Sequence, residues 1–64
     1  MVKCNLSRLM GEHRMKIQDV CNATGLARNT VANLYNDKAK RIDYDTIEKL
    51  CLLFECKVGD LLEI

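Results

Sequence analysis

Arg28, Asn29, Ala32, Asn33 and Asn36 lie in the stretch TGLARNTVANLYN, residues 24–36. They fall at i, i+1, i+4, i+5 and i+8, offsets that gather on one face of a helix. Asparagine is a poor helix former. Three asparagines in one short helix therefore point to a use other than helix stability: a fixed fan of hydrogen-bond donors and acceptors. The loop that follows, NDKAKRI, adds Lys38, Lys40 and Arg41. Catalysis has no comparable signature. The chain shows no nucleophile set beside a base, no paired acids in a cleft pattern and no phosphate-cradling loop, so an enzyme is not expected.

The elements that must hold this face can be read from apolar spacing. Leu6, Leu9, Met10 and His13 repeat at i, i+3, i+4 and i+7, which predicts a first helix over residues 6–13, with His13 as a boundary residue. Ile17, Val20, Cys21 and Thr24 form the inward face of a second helix over 17–24, ended by Gly25 and plugged by Leu26. Val31, Leu34 and Tyr35 form the inward stripe of a third over 28–35. A fourth helix opens after Asp43, a good N-cap, with Asp45 and Glu48 favourable near its positive end. It buries Ile47, Leu50, Cys51 and Phe54. Cys56, Val58, Leu61 and Leu62 supply a last helical turn. Tyr35, Tyr44 and Phe54 read as core or core-edge residues. Residues 1–6, MVKCNL, alternate as a short strand, with Val2, Cys4 and Leu6 on one side and Lys3 and Asn5 on the other. Its partner is the C-terminal LLEI or its own copy in a second molecule, unless it is an extended tail.

Size and composition bound the reading. Sixty-four residues with 48 % apolar content, no proline and three glycines make one domain, residues 1–64, favouring helices over a many-stranded sheet. A chain this short buries only about 60 % of the surface its unfolded form exposes, and dimerisation is a common supplement. No apolar run approaches the ~18 residues that span a bilayer. The N-terminus lacks the pattern of a signal peptide. No membrane association and a cytoplasmic location are therefore expected. Cys4, Cys21, Cys51 and Cys56 form no C-x-x-C pair, and the sole histidine is His13, so plain core cysteines are expected. Cys51 and Cys56 stand too far apart in sequence for the usual close metal pair. No metal or cofactor is expected. The net charge of +1 hides an asymmetry: residues 1–41 hold eight Lys or Arg against three acids, and residues 42–64 hold two against six. A basic half and an acidic half suggest one face for a polyanion and another turned away from it.

Two short helices joined by a tight glycine turn are the unit of helix-turn-helix DNA binders. Here the small residue Cys21 allows close helix approach, Gly25 makes the turn, and Val31 and Leu34 lock the second helix onto the first. The stretches NLSRLMGE, IQDVCNATGLARNTVANLYN, RIDYDTIEKLC and CKVGDLLE resemble the Cro and phage-repressor type helix-turn-helix family, also called the XRE family, over residues 5–63. The resemblance implies an all-α, compact five-helix phage-repressor-like domain with its helix-turn-helix over about residues 17–36. It implies a transcriptional regulator, expected to be a repressor, that binds double-stranded DNA as a homodimer on a palindromic operator. The terminal segments are the favoured dimer surface. Three positions depart from the family pattern. Ile17 stands where glutamine often touches a phosphate, with Gln18 beside it. Cys21 replaces alanine, and Arg14 replaces a helix-ending glycine.

Carried over by position, Arg28, Asn29 and Asn33 are the base-reading candidates. Arginine donates twice to guanine, asparagine pairs with adenine, and Ala32 between them suits a thymine methyl. Lys38, Lys40 and Arg41 are the phosphate candidates, with Thr30 or Asn36 at the groove edge. At the start of the second helix the contact shifts from Ile17 to Lys16 or Gln18, and Lys16 and Arg14 are weaker phosphate candidates than the loop residues. The alternatives are an antitoxin or protein-interaction adaptor on the same fold, and a thiol or metal sensor built on the same DNA binder.

Overall fold

The computed structural model describes residues 2–64; Met1, part of the expected N-terminal strand, lies outside them. In chain order the elements are β1 (Lys3–Cys4), α1 (Leu6–Glu12), α2 (Ile17–Thr24), α3 (Arg28–Tyr35), α4 (Tyr44–Phe54), α5 (Val58–Leu61) and β2 (Leu62–Glu63). β1 and β2 pair antiparallel, with Lys3 opposite Glu63 and Cys4 opposite Leu62. Of the expected partners for the N-terminal strand, the chain's own C-terminus is the one it meets. The predicted stripes close on one core: Leu6, Leu9 and Met10 of α1, Val20 and Cys21 of α2, Val31 and Leu34 of α3, Leu50 and Phe54 of α4, and Leu61 of α5. α2 packs most extensively on α3, and α4 joins α2 to α5.

Several expectations change. α1 ends at Glu12, and His13 follows as its C-cap, its ring 5.0 Å from that of Phe54 and tilted by 59°. Tyr44 is 91 % exposed and Tyr35 41 %, so neither belongs to the core. Asn5, placed on the polar side of the strand, is buried. The chain leaves β1 there to enter α1, and Asn5 ties the two termini together. Its backbone N–H donates to the Leu61 carbonyl at 2.7 Å, and its side-chain amide to the Asp60 carbonyl at 3.3 Å. Among the cysteines only Cys21 is buried; Cys4, Cys51 and Cys56 are half-buried, and all four are free. Asp43 holds the N-cap position of α4 without a side-chain cap bond. The carboxylates that do bind at helix starts stand three residues in. Asp19 accepts the Lys16 backbone N–H at 2.9 Å, and Asp60 accepts that of Lys57 at 3.0 Å.

The helix ends share one device. α2 stops at Gly25, which is left-handed (φ 76°, ψ 8°) and donates its N–H to the Cys21 carbonyl at 2.8 Å. The other three long ends do the same with residues that carry a side chain: Arg14 after α1, Asp37 after α3 and Glu55 after α4, with φ of 54°, 57° and 51°. Each of these closes the double-bonded Schellman turn. After α1, Met15 N–H donates to the Met10 carbonyl and Arg14 N–H to that of Gly11, at 2.9 and 3.2 Å. The Arg14 departure from the family's glycine thus falls on a backbone that glycine would favour. Gly25→Ala is expected to cost about 1 kcal/mol, all of it conformational, since an added Cβ meets no atom within 4 Å. Arg14→Gly is expected to stabilise by up to about 1 kcal/mol, offset in part by the greater freedom of glycine in the unfolded chain. Urea denaturation of both variants checks the opposite signs.

Candidate nucleic-acid interface

α3 owes its orientation to Val31 and Leu34, which are buried against the remaining helices. Holding that side inward turns Arg28, Asn29, Asn33 and Asn36 outward, and all four are exposed. Ala32 and Thr30 are half-buried at the margins of the same face. At eight residues α3 is about 12 Å long. Across its side chains an α-helix measures about 10–12 Å, which a B-DNA major groove about 12 Å wide admits.

Two clefts flank α3 and sort the candidate residues. The first, about 370 Å³, brings Thr30 and Asn33 of α3 together with Lys40 and Arg41 of the loop, and its far wall carries Asp43 and Thr46. The second, about 420 Å³, brings Lys16 and Gln18 from the start of α2 to Arg28, with Met10, Met15 and Tyr35 behind them. Asn29, Asn36 and Lys38 line neither. Lys38 is nonetheless fixed in position, because its backbone N–H donates to the Asn33 carbonyl at 2.8 Å.

The polar side chains are partly ordered in advance. The Arg28 guanidinium donates through Nη1 to Gln18 Oε1 at 2.7 Å, and Gln18 Nε2 donates to Asn22 Oδ1 at 2.9 Å. This chain was not legible beforehand, since ten residues separate Gln18 from Arg28; the signal was the glutamine at the second position of α2. The Gln18 amide thereby positions Arg28 through its oxygen, while its nitrogen carries a second hydrogen that can still be offered at the start of α2. Asn36 Nδ2 donates to the Ala32 carbonyl at 2.9 Å and serves the end of its own helix. At the start of α2, Asp19 occupies the Lys16 backbone N–H, so Lys16 has its ammonium to offer there. Tyr44 is expected in the core or at its edge. It instead stands exposed at the head of α4, next in sequence to the cleft residue Asp43.

The arrangement is a rigid polar helix face between two basic edges, suited to a repeating polyanion with hydrogen-bonding groups between its charges. Among the described residues no helix is long and apolar enough to cross a membrane. A family model described as the Cro/C1-type HTH DNA-binding domain matches residues 5–64. A curated relative from Bacillus subtilis (strain 168), named an uncharacterized HTH-type transcriptional regulator YozG, is 30 % identical over 59 residues. The match covers 92 % of this chain and 70 % of the relative. With the helix-turn-helix geometry and a family match over nearly its whole length, the chain belongs to the family of Cro/C1-type helix-turn-helix DNA-binding domains.

Proposed function

We propose that the chain is a sequence-specific regulator of transcription, acting as a repressor in the cytoplasm, that inserts α3 into the major groove of double-stranded DNA. The observation that carries this reading is the outward face of α3, with Arg28 already held by Gln18 at 2.7 Å. Arg28, Asn29 and Asn33 read base edges, and Ala32 meets a thymine methyl. Lys40 and Arg41, facing Thr30 and Asn33 across one cleft, grip phosphates on one side of the groove. Lys16 and Gln18 do so on the other, and Lys38 and Asn36 extend the grip. The longest dimension of the chain is 28 Å. Successive major-groove turns on one side of the duplex lie ~34 Å apart. One copy reaches only one of them, which supports a homodimer on a palindromic operator. Val2 and Ile64, exposed at the paired termini, are the surface favoured for it.

Salt titration tests the electrostatic half of the reading. Lys40→Ala is expected to weaken binding to all duplexes alike and to lower the slope of log affinity against log salt by about 1. Fluorescence anisotropy on an arbitrary duplex measures it. An unchanged slope removes Lys40 from the phosphate set. Failure of the parent to bind any duplex at low salt would favour an adaptor that kept the fold and lost DNA.

A further inference from the structure

α4 ends in a Schellman turn, in which the residue three before the end and the residue just past the left-handed position bring their side chains together. In α4 these two residues are Cys51 and Cys56. The Cys56 N–H donates to the Cys51 carbonyl at 3.0 Å, and the Glu55 N–H to that of Leu52 at 3.4 Å. Glu55 takes the left-handed conformation between them (φ 51°, ψ 46°). The same positions after α1 and α3 are held by Met10 with Met15 and by Asn33 with Lys38. An apolar contact usually fills this place; at α4 it is filled by two thiols. The five-residue separation that argues against a metal pair in the sequence is therefore undone by the turn. Both thiols are free and half-buried, reachable from solvent without opening the core. Burial pushes the Cys56 thiol above its ordinary value, and the Cys51 sulfur, acting on it directly, pushes it further.

We propose that Cys51 and Cys56 form a dithiol site that closes to an intramolecular disulfide by exchange with a low-molecular-weight disulfide and reopens with a thiol reductant. One cysteine thiolate attacks a sulfur of the small disulfide and expels a small thiolate, leaving a mixed disulfide. The second cysteine thiolate attacks the protein sulfur of that mixed disulfide and expels the other small thiolate. The two cysteine protons end on the two departing thiols, so the dithiol loses two electrons and the small disulfide gains them. Exchange needs the thiolate. The raised Cys56 thiol therefore makes the attack by Cys56 slow at neutral pH and quickens it as pH climbs. Closure acts on the turn that leads from α4 into α5 and leaves α3 untouched. It is a second site, separate from the DNA-facing one.

The full chain treated with bis(2-hydroxyethyl) disulfide at mildly alkaline pH, then alkylated, digested with trypsin and weighed, tests this. Cys51 and Cys56 share the tryptic peptide of residues 50–57, which lies between Lys49 and Lys57. That peptide is expected to be lighter by two hydrogen atoms and to carry no alkyl label, while Cys4 and Cys21 take up label or reagent singly. In Cys56→Ser, Cys51 is expected to stop at the mixed disulfide and keep the reagent. A peptide carrying two labels or two reagent groups overturns the proposal. So does one cross-linked to Cys4, to Cys21 or to a second copy, or a Cys56→Ser protein whose Cys51 takes up no reagent.

Discussion

Leu50→Ala is expected to destabilise the protein by ~2–5 kcal/mol, the cost of deleting a buried leucine and leaving part of a cavity. Leu50 has no exposed surface and lies in α4, the helix that joins α2 to α5 across the core. A domain of this length has roughly 3–10 kcal/mol of stability in all, so this single change takes a large share of it or all. Circular dichroism against temperature measures the effect. At about 4–8 °C per kcal/mol for so small a domain, Tm should fall by about 8 °C or more. A variant that melts within two or three degrees of the parent would mean that Leu50 is not where the core converges. The surface ion pairs set the scale on the other side. Arg8 with Glu12 at 3.9 Å and Asp45 with Lys49 at 3.3 Å are exposed i, i+4 pairs, worth ~0.3–0.5 kcal/mol each.

Arg28→Ala is expected to leave stability unchanged and to remove ~1–3 kcal/mol of DNA binding, with discrimination relaxed at one base pair. Its side chain is exposed, and its hydrogen bond is to Gln18, itself exposed. The fold loses little when it goes. The loss at the DNA is of another kind, because a bidentate guanidinium–guanine pair has no substitute in water or alanine. Gln18→Ala gives a smaller loss of the same character, since it frees Arg28 without deleting it. Competition binding against duplexes that vary one base pair at a time reads both effects. Equal weakening on every sequence would assign Arg28 to a phosphate instead of a base.

Much of the interface is legible in the sequence. α2 and α3 lie at residues 17–24 and 28–35, as the spacing predicts. Gly25, Val31 and Leu34 leave few other ways to fold that stretch: the glycine takes the left-handed stop at the least conformational cost, and the two apolar residues fix the rotation of α3. What is not legible depends on groups distant in sequence or on a missing glycine. Asp37 and Glu55 carry no sign in the sequence that their backbones are left-handed, since neither is a glycine; Arg14 carries one only through the resemblance, standing where the family often has a helix-ending glycine. Tyr44 reads as a core or core-edge aromatic, yet it precedes the first buried residue of α4, Thr46, and is exposed. Asn5 is buried because the Asp60 and Leu61 carbonyls, more than fifty residues on, need its donors. Cys51 and Cys56 look unrelated until the turn at Glu55 folds one back on the other.

The central claim is that the outward face of α3 selects a DNA sequence. Selection of bound double-stranded DNA from a random pool, run in parallel with the parent chain and with Arg28→Ala, tests it most directly. The parent is expected to enrich a two-fold symmetric site with half-sites centred one helical turn apart, about 10–10.5 base pairs. Arg28→Ala is expected to enrich the same site with its preference lost at one position in each half. A parent pool that stays random at low salt, or an Arg28→Ala pool with every preference intact, would contradict it.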